Sequence, residues 1–299
     1  MVNSFIAWYL FLAGMGAGAF FISAVVDLSL RRWNPPWLEA ASTVTDGGMY
    51  LGPATVVLGL VFLLADLGYP ERSFQVFFTP STSLLTLGSW AIVAFVGCSV
   101  LALLVGGLLE TPLVRGLETV LQVLAALFST VVILYSGVYL SAFPSVPFLN
   151  NPLVPVIFVL SALSTGMGML LVFGFVTRDG EDTAAGVPLC LRADSLVLAV
   201  KAAALAALLL WAHFGYPEIL SVDALLTGRW AGLFWLGVVG AGILAPAAAE
   251  VWCAWRPRSI AYVVGAGAAI AGGLCLRYAF LLAAVRFSAV TGGAVTFWG

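Results

Sequence analysis

The sequence predicts an all-α polytopic membrane protein, with about eight transmembrane helices arranged as two four-helix bundles related by an internal repeat. Three observations predict it. Hydrophobic residues make up 62% of the 299-residue chain and charged residues 9%, with a mean hydropathy of +1.10, far beyond what a soluble core needs. The apolar runs are long enough to cross ~30 Å of hydrocarbon, about 20 helical residues each, and lack the two-residue alternation of a barrel, so no strands are expected. Finally, short motifs recur half a chain apart.

The elements follow in order. The first run, roughly 5–30, starts almost at Met1 with no basic segment ahead of it and no small-residue cleavage pattern before Asp27, so it is expected to be a span and not a cleaved signal peptide. Within it, Gly14 and Gly18 stand four apart, a spacing that permits close helix packing. The second run, roughly 47–65, leads into Asp66-Leu-Gly-Tyr-Pro-Glu71-Arg72. Carboxylates and an arginine at one helix exit, in a chain that otherwise avoids charge, point to chemistry or docking. Further runs lie at roughly 85–109, 117–142, 153–176, 195–214, 231–254 and 260–285.

Orientation follows from the basic residues, because Lys and Arg are retained on the cytoplasmic side during insertion. One set of loops holds Arg31, Arg32, Arg115, Arg178, Arg192, Arg256 and Arg258, and the opposite set only Arg72, Arg229 and Arg286. The first set is expected to be cytoplasmic. Both termini and the Asp66–Arg72 segment then lie on the outer, periplasmic face of a prokaryotic inner membrane. No nucleic-acid partner is expected, and the net charge of -2 reveals nothing more about partners.

The repeat pairs Gly68-Tyr-Pro-Glu71 with Gly215-Tyr-Pro-Glu218, and Leu84-Leu-Thr-Leu-Gly-Ser-Trp90 with Leu225-Leu-Thr-Gly-Arg-Trp230. Met15-Gly16 and Met167-Gly168 fit a similar displacement. Two parallel halves result, residues 1–150 and 151–299. They are not equivalent, because Asp66 aligns with His213 and Arg72 with Ile219. The first half is expected to carry the active site and the second to be mainly scaffold.

Counting ligands excludes several redox centres. A bis-histidine haem needs two imidazoles and the chain has one His. Cys98, Cys190, Cys253 and Cys275 are far apart without a C-x-x-C, so neither an iron–sulfur cluster nor a metal site is expected in this chain. What remains are polar groups at membrane depth, each costing roughly 2.5–3.5 kcal/mol if charged and unpaired at a helix centre. Asp66, Tyr9 and Tyr135 all fall near the outer ends of their spans. A lipid-soluble quinone needs that combination: an apolar slot, a phenol to hydrogen-bond a ring oxygen, and a carboxylate to exchange protons. The plainer readings stay open, namely interfacial belt residues for Tyr135 and Tyr139 and a loop-satisfied carboxylate for Asp66. Trp90 either walls the slot or anchors the interface. Lys201 and Arg277, inside spans, either pair with Glu250, Asp194 or backbone carbonyls, or line a proton route with Asp46 and Glu118.

Several segments, taken together, resemble the NrfD-like, polysulfide-reductase-type membrane subunits of modular molybdenum or tungsten oxidoreductases. They are Tyr9-Leu-Phe-Leu-Ala-Gly-Met-Gly-Ala-Gly18, Asp66-Leu-Gly-Tyr-Pro-Glu-Arg72, Pro80-Ser-Thr-Ser, Gly88-Ser-Trp90, Tyr135-Ser-Gly137, Leu160-Ser-Ala-Leu-Ser-Thr-Gly166 and Gly272-Gly-Leu-Cys-Leu-Arg277-Tyr278. The resemblance runs through nearly the whole chain in order. It implies a quinone or quinol site, menaquinone first, at the outer ends of the first four helices. Beside it would dock a four-cluster iron–sulfur subunit, serving a bis-pyranopterin molybdenum or tungsten catalytic subunit. Tyr135 then corresponds to the family's quinone-binding tyrosine, and Asp66, Glu71 and Arg72 to its loop motif. Tyr9 stands where one family member has a histidine, which shifts the expected proton acceptor to Asp66 or Glu71, because a phenol does not readily carry a proton near neutral pH. Two other classes remain open: a secondary transporter, suggested by the repeat and the buried charges, and a structural anchor without a working quinone site.

Overall fold

The computed structural model of the chain describes residues 4–66, 84–107, 111–177, 185–216, 218–256, 260–288 and 293–296. Among these, eight helical stretches are long and apolar enough to cross a membrane, α2 and α3 counting as one. They are α1 (Ser4–Trp33), α2 (Pro36–Thr45) with α3 (Gly48–Asp66), α4 (Leu84–Gly106), α5 (Pro112–Ser141), α6 (Leu153–Thr177), α7 (Val187–His213), the π-helical segment Leu233–Leu244 running into α9 (Ala245–Trp255), and α10 (Ala261–Ala283). A shorter helix, α8 (Glu218–Leu226), precedes the π-helical segment. The end of the bundle at which α1 begins is called the upper end below.

Local chemistry sets several boundaries. Asn34 closes α1 at φ 44, with its N–H on the carbonyl of Leu30 at 2.9 Å; asparagine tolerates that left-handed conformation. Pro36 opens α2 and Pro112 opens α5, where a missing N–H costs nothing. Thr111 caps α5 by accepting from the Val114 N–H at 3.4 Å. Pro246 acts differently. It has no N–H to give the carbonyl of Gly242 four residues back, and the backbone just before it is wound as a π-helix.

Two boundaries differ from expectation. The sixth span begins at Val187 and not near 195, because Asp194 is buried among neighbouring helices and so interrupts nothing. Helix before the second span begins at Pro36, with a turn at Asp46-Gly47. Beyond α10, β1 (Val285–Ser288) pairs antiparallel with β2 (Gly293–Thr296), Val285 opposite Thr296, a short ribbon that the all-helical expectation does not include.

Helices α1, α6 and α10 bury most of their surface, while α3, α4 and the Leu233–Trp255 span are largely peripheral. At the centre α1 crosses α6 through reciprocal glycines. A side chain at Gly18 would run into the Ala162 carbonyl, and one at Gly166 into the Gly18–Ala19 backbone. The described surface arginines divide by end: Arg31, Arg32, Arg115, Arg192 and Arg256 lie at the lower end, Arg229 at the upper.

Candidate functional site

The upper third of the first half gathers aromatic phenols from α1 and α5. Tyr9, 6% exposed, lies within electrostatic range of Tyr135 and Tyr139 across the α1–α5 contact. Tyr135 and Tyr139 stand one helical turn apart with ring centroids 5.7 Å apart, and Tyr139 meets Phe143 edge-on at 5.4 Å. The Tyr135 ring fits against α4 because Gly88 has no side chain; a Cβ there would land in the ring. Spacing in the sequence places Tyr9 and Tyr135 at similar depth, and the fold brings them together. Tyr139 joins them, although depth alone reads it as a belt residue. Its signal is the i, i+4 relation to Tyr135, which puts both on one face.

Asp66 ends α3. Gly59 of that helix packs against the Tyr9–Ala13 backbone of α1, and Asp66 comes two turns later along the helix, about 10 Å further up. The side chain of Asp66, and Glu71 and Arg72 entirely, lie outside the described residues. Trp90 is 53% exposed and sits two residues beyond Gly88, so it leaves α4 on a face turned well away from Tyr135.

The route sketched by Asp46, Glu118, Lys201 and Arg277 divides into two places. Asp46 and Glu118 line a lower-end cavity of about 520 Å³ in the first half, together with Asp27, Arg31, Ser23, Ser99 and Gln122. Arg31 donates from Nε to Asp27 at 2.8 Å and from Nη2 to Glu118 at 2.8 Å, and Gln122 Nε2 donates to Asp27 at 2.7 Å. The cavity ends at Phe20, which meets Phe95 edge-to-face at 5.1 Å. Both rings are buried, so the first half has a polar mouth below and an apolar plug above it.

Lys201 and Arg277 belong to the second half. Lys201, 3% exposed, donates from Nζ to the Gly242 carbonyl at 2.7 Å. That carbonyl is the one Pro246 cannot serve in the α-helical pattern. Lys201 is also in electrostatic range of Asp194, Glu250 and Arg277. Arg277 is fully buried. Its Nη1 donates to Ser161 Oγ at 2.5 Å and to the Gly273 carbonyl at 3.0 Å, and its guanidinium lies over the rings of Phe158 (5.3 Å) and Phe11 (5.7 Å). Two ring faces and two acceptors offset part of the cost of a charge that hydrocarbon would reject, while Nε and Nη2 have no hydrogen-bond partner among the described residues. No group of three His, Cys, Asp or Glu side chains that could hold a metal ion occurs among the described residues.

The family profile described as "Polysulphide reductase, NrfD" matches residues 3–289. The chain is 31% identical to the protein named NrfD of Escherichia coli K12, over 93% of each sequence. It is 29% identical to one of the polysulfide reductase chains of Wolinella succinogenes, over 94% of its own length and 93% of the relative. An NrfD homolog of Haemophilus influenzae is 25% identical, over 83% of this protein and 82% of the relative. The chain therefore belongs to the NrfD, polysulphide-reductase family, as a multi-pass membrane protein.

Proposed function

We propose that this chain is the quinone-reactive membrane subunit of a multi-subunit oxidoreductase in a prokaryotic inner membrane. It passes electrons between the quinone pool, menaquinone first, and a four-cluster iron–sulfur subunit that serves a bis-pyranopterin molybdenum or tungsten subunit. The upper end is the periplasmic end in this reading, supported by the arginines at the lower end. A multi-subunit setting is supported by the Wolinella relative, whose name makes it one lettered subunit of polysulfide reductase.

The observation that carries the reading is the phenol cluster of Tyr9, Tyr135 and Tyr139 at the upper end of an otherwise apolar wall. Phenol hydroxyls on an apolar wall are the hydrogen-bond donors that a ring bearing two oxygens requires. When bound, quinol supplies two electrons and two protons. Tyr135 and Tyr9 donate hydrogen bonds to ring oxygens and fix the ring's orientation, with Tyr139 packed behind Tyr135. Asp66, at the upper exit of α3, accepts a proton and returns it to the periplasmic water. Glu71 and Arg72 are assigned to docking of the iron–sulfur subunit or to a loop ion pair, and Trp90 to anchoring at the interface.

The test is purification with co-expressed partner subunits in mild detergent, followed by quinone extraction and an assay of menaquinol-linked iron–sulfur reduction. Bound quinone is expected, and Asp66→Asn is expected to abolish reduction while the complex still assembles. Near wild-type reduction in that variant removes Asp66 from the mechanism. A wild-type protein with neither quinone nor an iron–sulfur partner overturns the reading and favours a transporter.

A further inference from the structure

The second half holds ionisable groups that quinone binding does not use. Asp194 of α7 is 4% exposed and lies within hydrogen-bonding reach of Glu250 of α9. Asp194 Oδ1 and Glu250 Oε1 have no hydrogen-bond partner among the described residues; the hydroxyl of fully buried Ser164, also without a partner at ordinary hydrogen-bond geometry, lies within reach of Asp194 as a donor. Burying such atoms unsatisfied is costly. Two facing carboxylates repel, whereas a proton between them turns the contact into a hydrogen bond and supplies one of the missing donors.

The surroundings give that proton an entrance and a counter-charge. Glu250 lines a lower-end cleft of about 400 Å³ with Arg192 and Ser195. Lys201 stands two turns above Asp194 on the same helix, about 10 Å deeper, tethered to the Gly242 carbonyl. Arg277 lies in electrostatic range of Lys201 and bonds to Ser161, one turn above Ser164 on α6. The other titratable groups around the pair are Cys190, Cys253 and Tyr262. Above the first-half cavity, which ends at Phe20 and Phe95, α5 continues with the buried hydroxyls of Ser129 and Ser136, but no carboxylate or cationic side chain among the described residues stands between the cavity and Tyr135.

We propose that Asp194 and Glu250 form a proton-loading pair, filled from the lower aqueous phase through the cleft at Glu250, with Lys201 as the cation that governs its release. The loading step is a proton passing from hydronium to a carboxylate oxygen, leaving water. This makes the second half more than scaffold. The pair itself is independent of the quinone reading; its coupling to electron transfer rests on it.

Infrared spectroscopy of the purified protein tests the pair directly. At neutral pH the wild type is expected to show a protonated carboxyl C=O band that shifts in D2O and is lost in both Glu250→Gln and Asp194→Asn. A charge cluster with a purely structural role keeps both carboxylates ionised against Lys201 and Arg277. Absence of the band in the wild type, or its survival in both variants, therefore overturns the proposal. In the reconstituted complex, either variant is expected to lose proton uptake from the lower side while menaquinol-linked iron–sulfur reduction continues. Uptake that persists in both overturns the coupling. If the wild-type complex shows the band but no quinol-linked reduction, the quinone reading fails and the proton-loading pair stands.

Discussion

Tyr135 shows how one missing side chain shapes a neighbour. Its ring occupies the space above Gly88, so the phenol's position depends on α4 as much as on its own helix. Two substitutions separate ring from hydroxyl. Tyr135→Phe keeps the packing and removes one hydrogen bond, worth about 1 kcal/mol, so quinol affinity is expected to fall roughly fivefold. Gly88→Ala displaces the ring while leaving every polar group in place, and is expected to weaken quinol binding at least as much as Tyr135→Phe. Measuring both dissociation constants on the purified complex checks this, and an unaffected Gly88→Ala protein removes Tyr135 from the site. Depth along a span was readable for Tyr9 and Tyr135 because helical rise is uniform. Which face each residue takes was not, since that depends on the neighbour a helix finds. Tyr139 and Trp90 were accordingly ambiguous from sequence; the packing of α4 on α5 puts Tyr139 beside Tyr135 and Trp90 on a face turned away from it.

At the scale of elements, the Leu233–Trp255 span of the second bundle carries its own defect. Pro246 deprives the Gly242 carbonyl of its α-helical donor, and Lys201 on α7 replaces it. A proline in an apolar run is visible in sequence, as is a lysine in another. That the two answer one another is not visible, because nothing in either helix records their relative height. Lys201→Met strands the carbonyl and is expected to destabilise the protein by about 1–3 kcal/mol. Adding Pro246→Ala returns a backbone N–H to that turn and is expected to recover part of the loss. Unfolding of the detergent-solubilised single and double variants measures the coupling, and strictly additive effects rule out the exchange of donors. The α7 boundary has a similar explanation. Arg192 and Asp194 look like loop residues in a hydropathy profile, yet Asp194 finds Glu250, Ser164 and Lys201 inside the bundle and the helix continues through it.

Over the whole molecule, the opening helices of the two halves, α1 and α6, cross at Gly18 and Gly166, each closing on the other's backbone. The number of spans was legible because apolar length is a strong signal, and the motif echoes suggested paired halves. The crossing was not legible, since glycines are abundant throughout. Gly18→Leu is expected to cost about 1–3 kcal/mol through overpacking against rigid backbone, whereas Gly97→Ala, with nothing within 4 Å of the added carbon, is expected to be neutral or slightly stabilising. Thermal unfolding in detergent compares them, and equal stability would show that the crossing can spread. The lower cavity of the first half has an electrical consequence as well. It carries a polar mouth as far as Phe20, from which α1 rises 11 residues to Tyr9, about 16 Å. Roughly half the ~30 Å hydrocarbon thickness is therefore left as insulator there, and the membrane voltage falls within it. A unit charge moved between Phe20 and Tyr9 would do nearly the electrical work of crossing the whole bilayer, about 2.3 kcal/mol for each 100 mV.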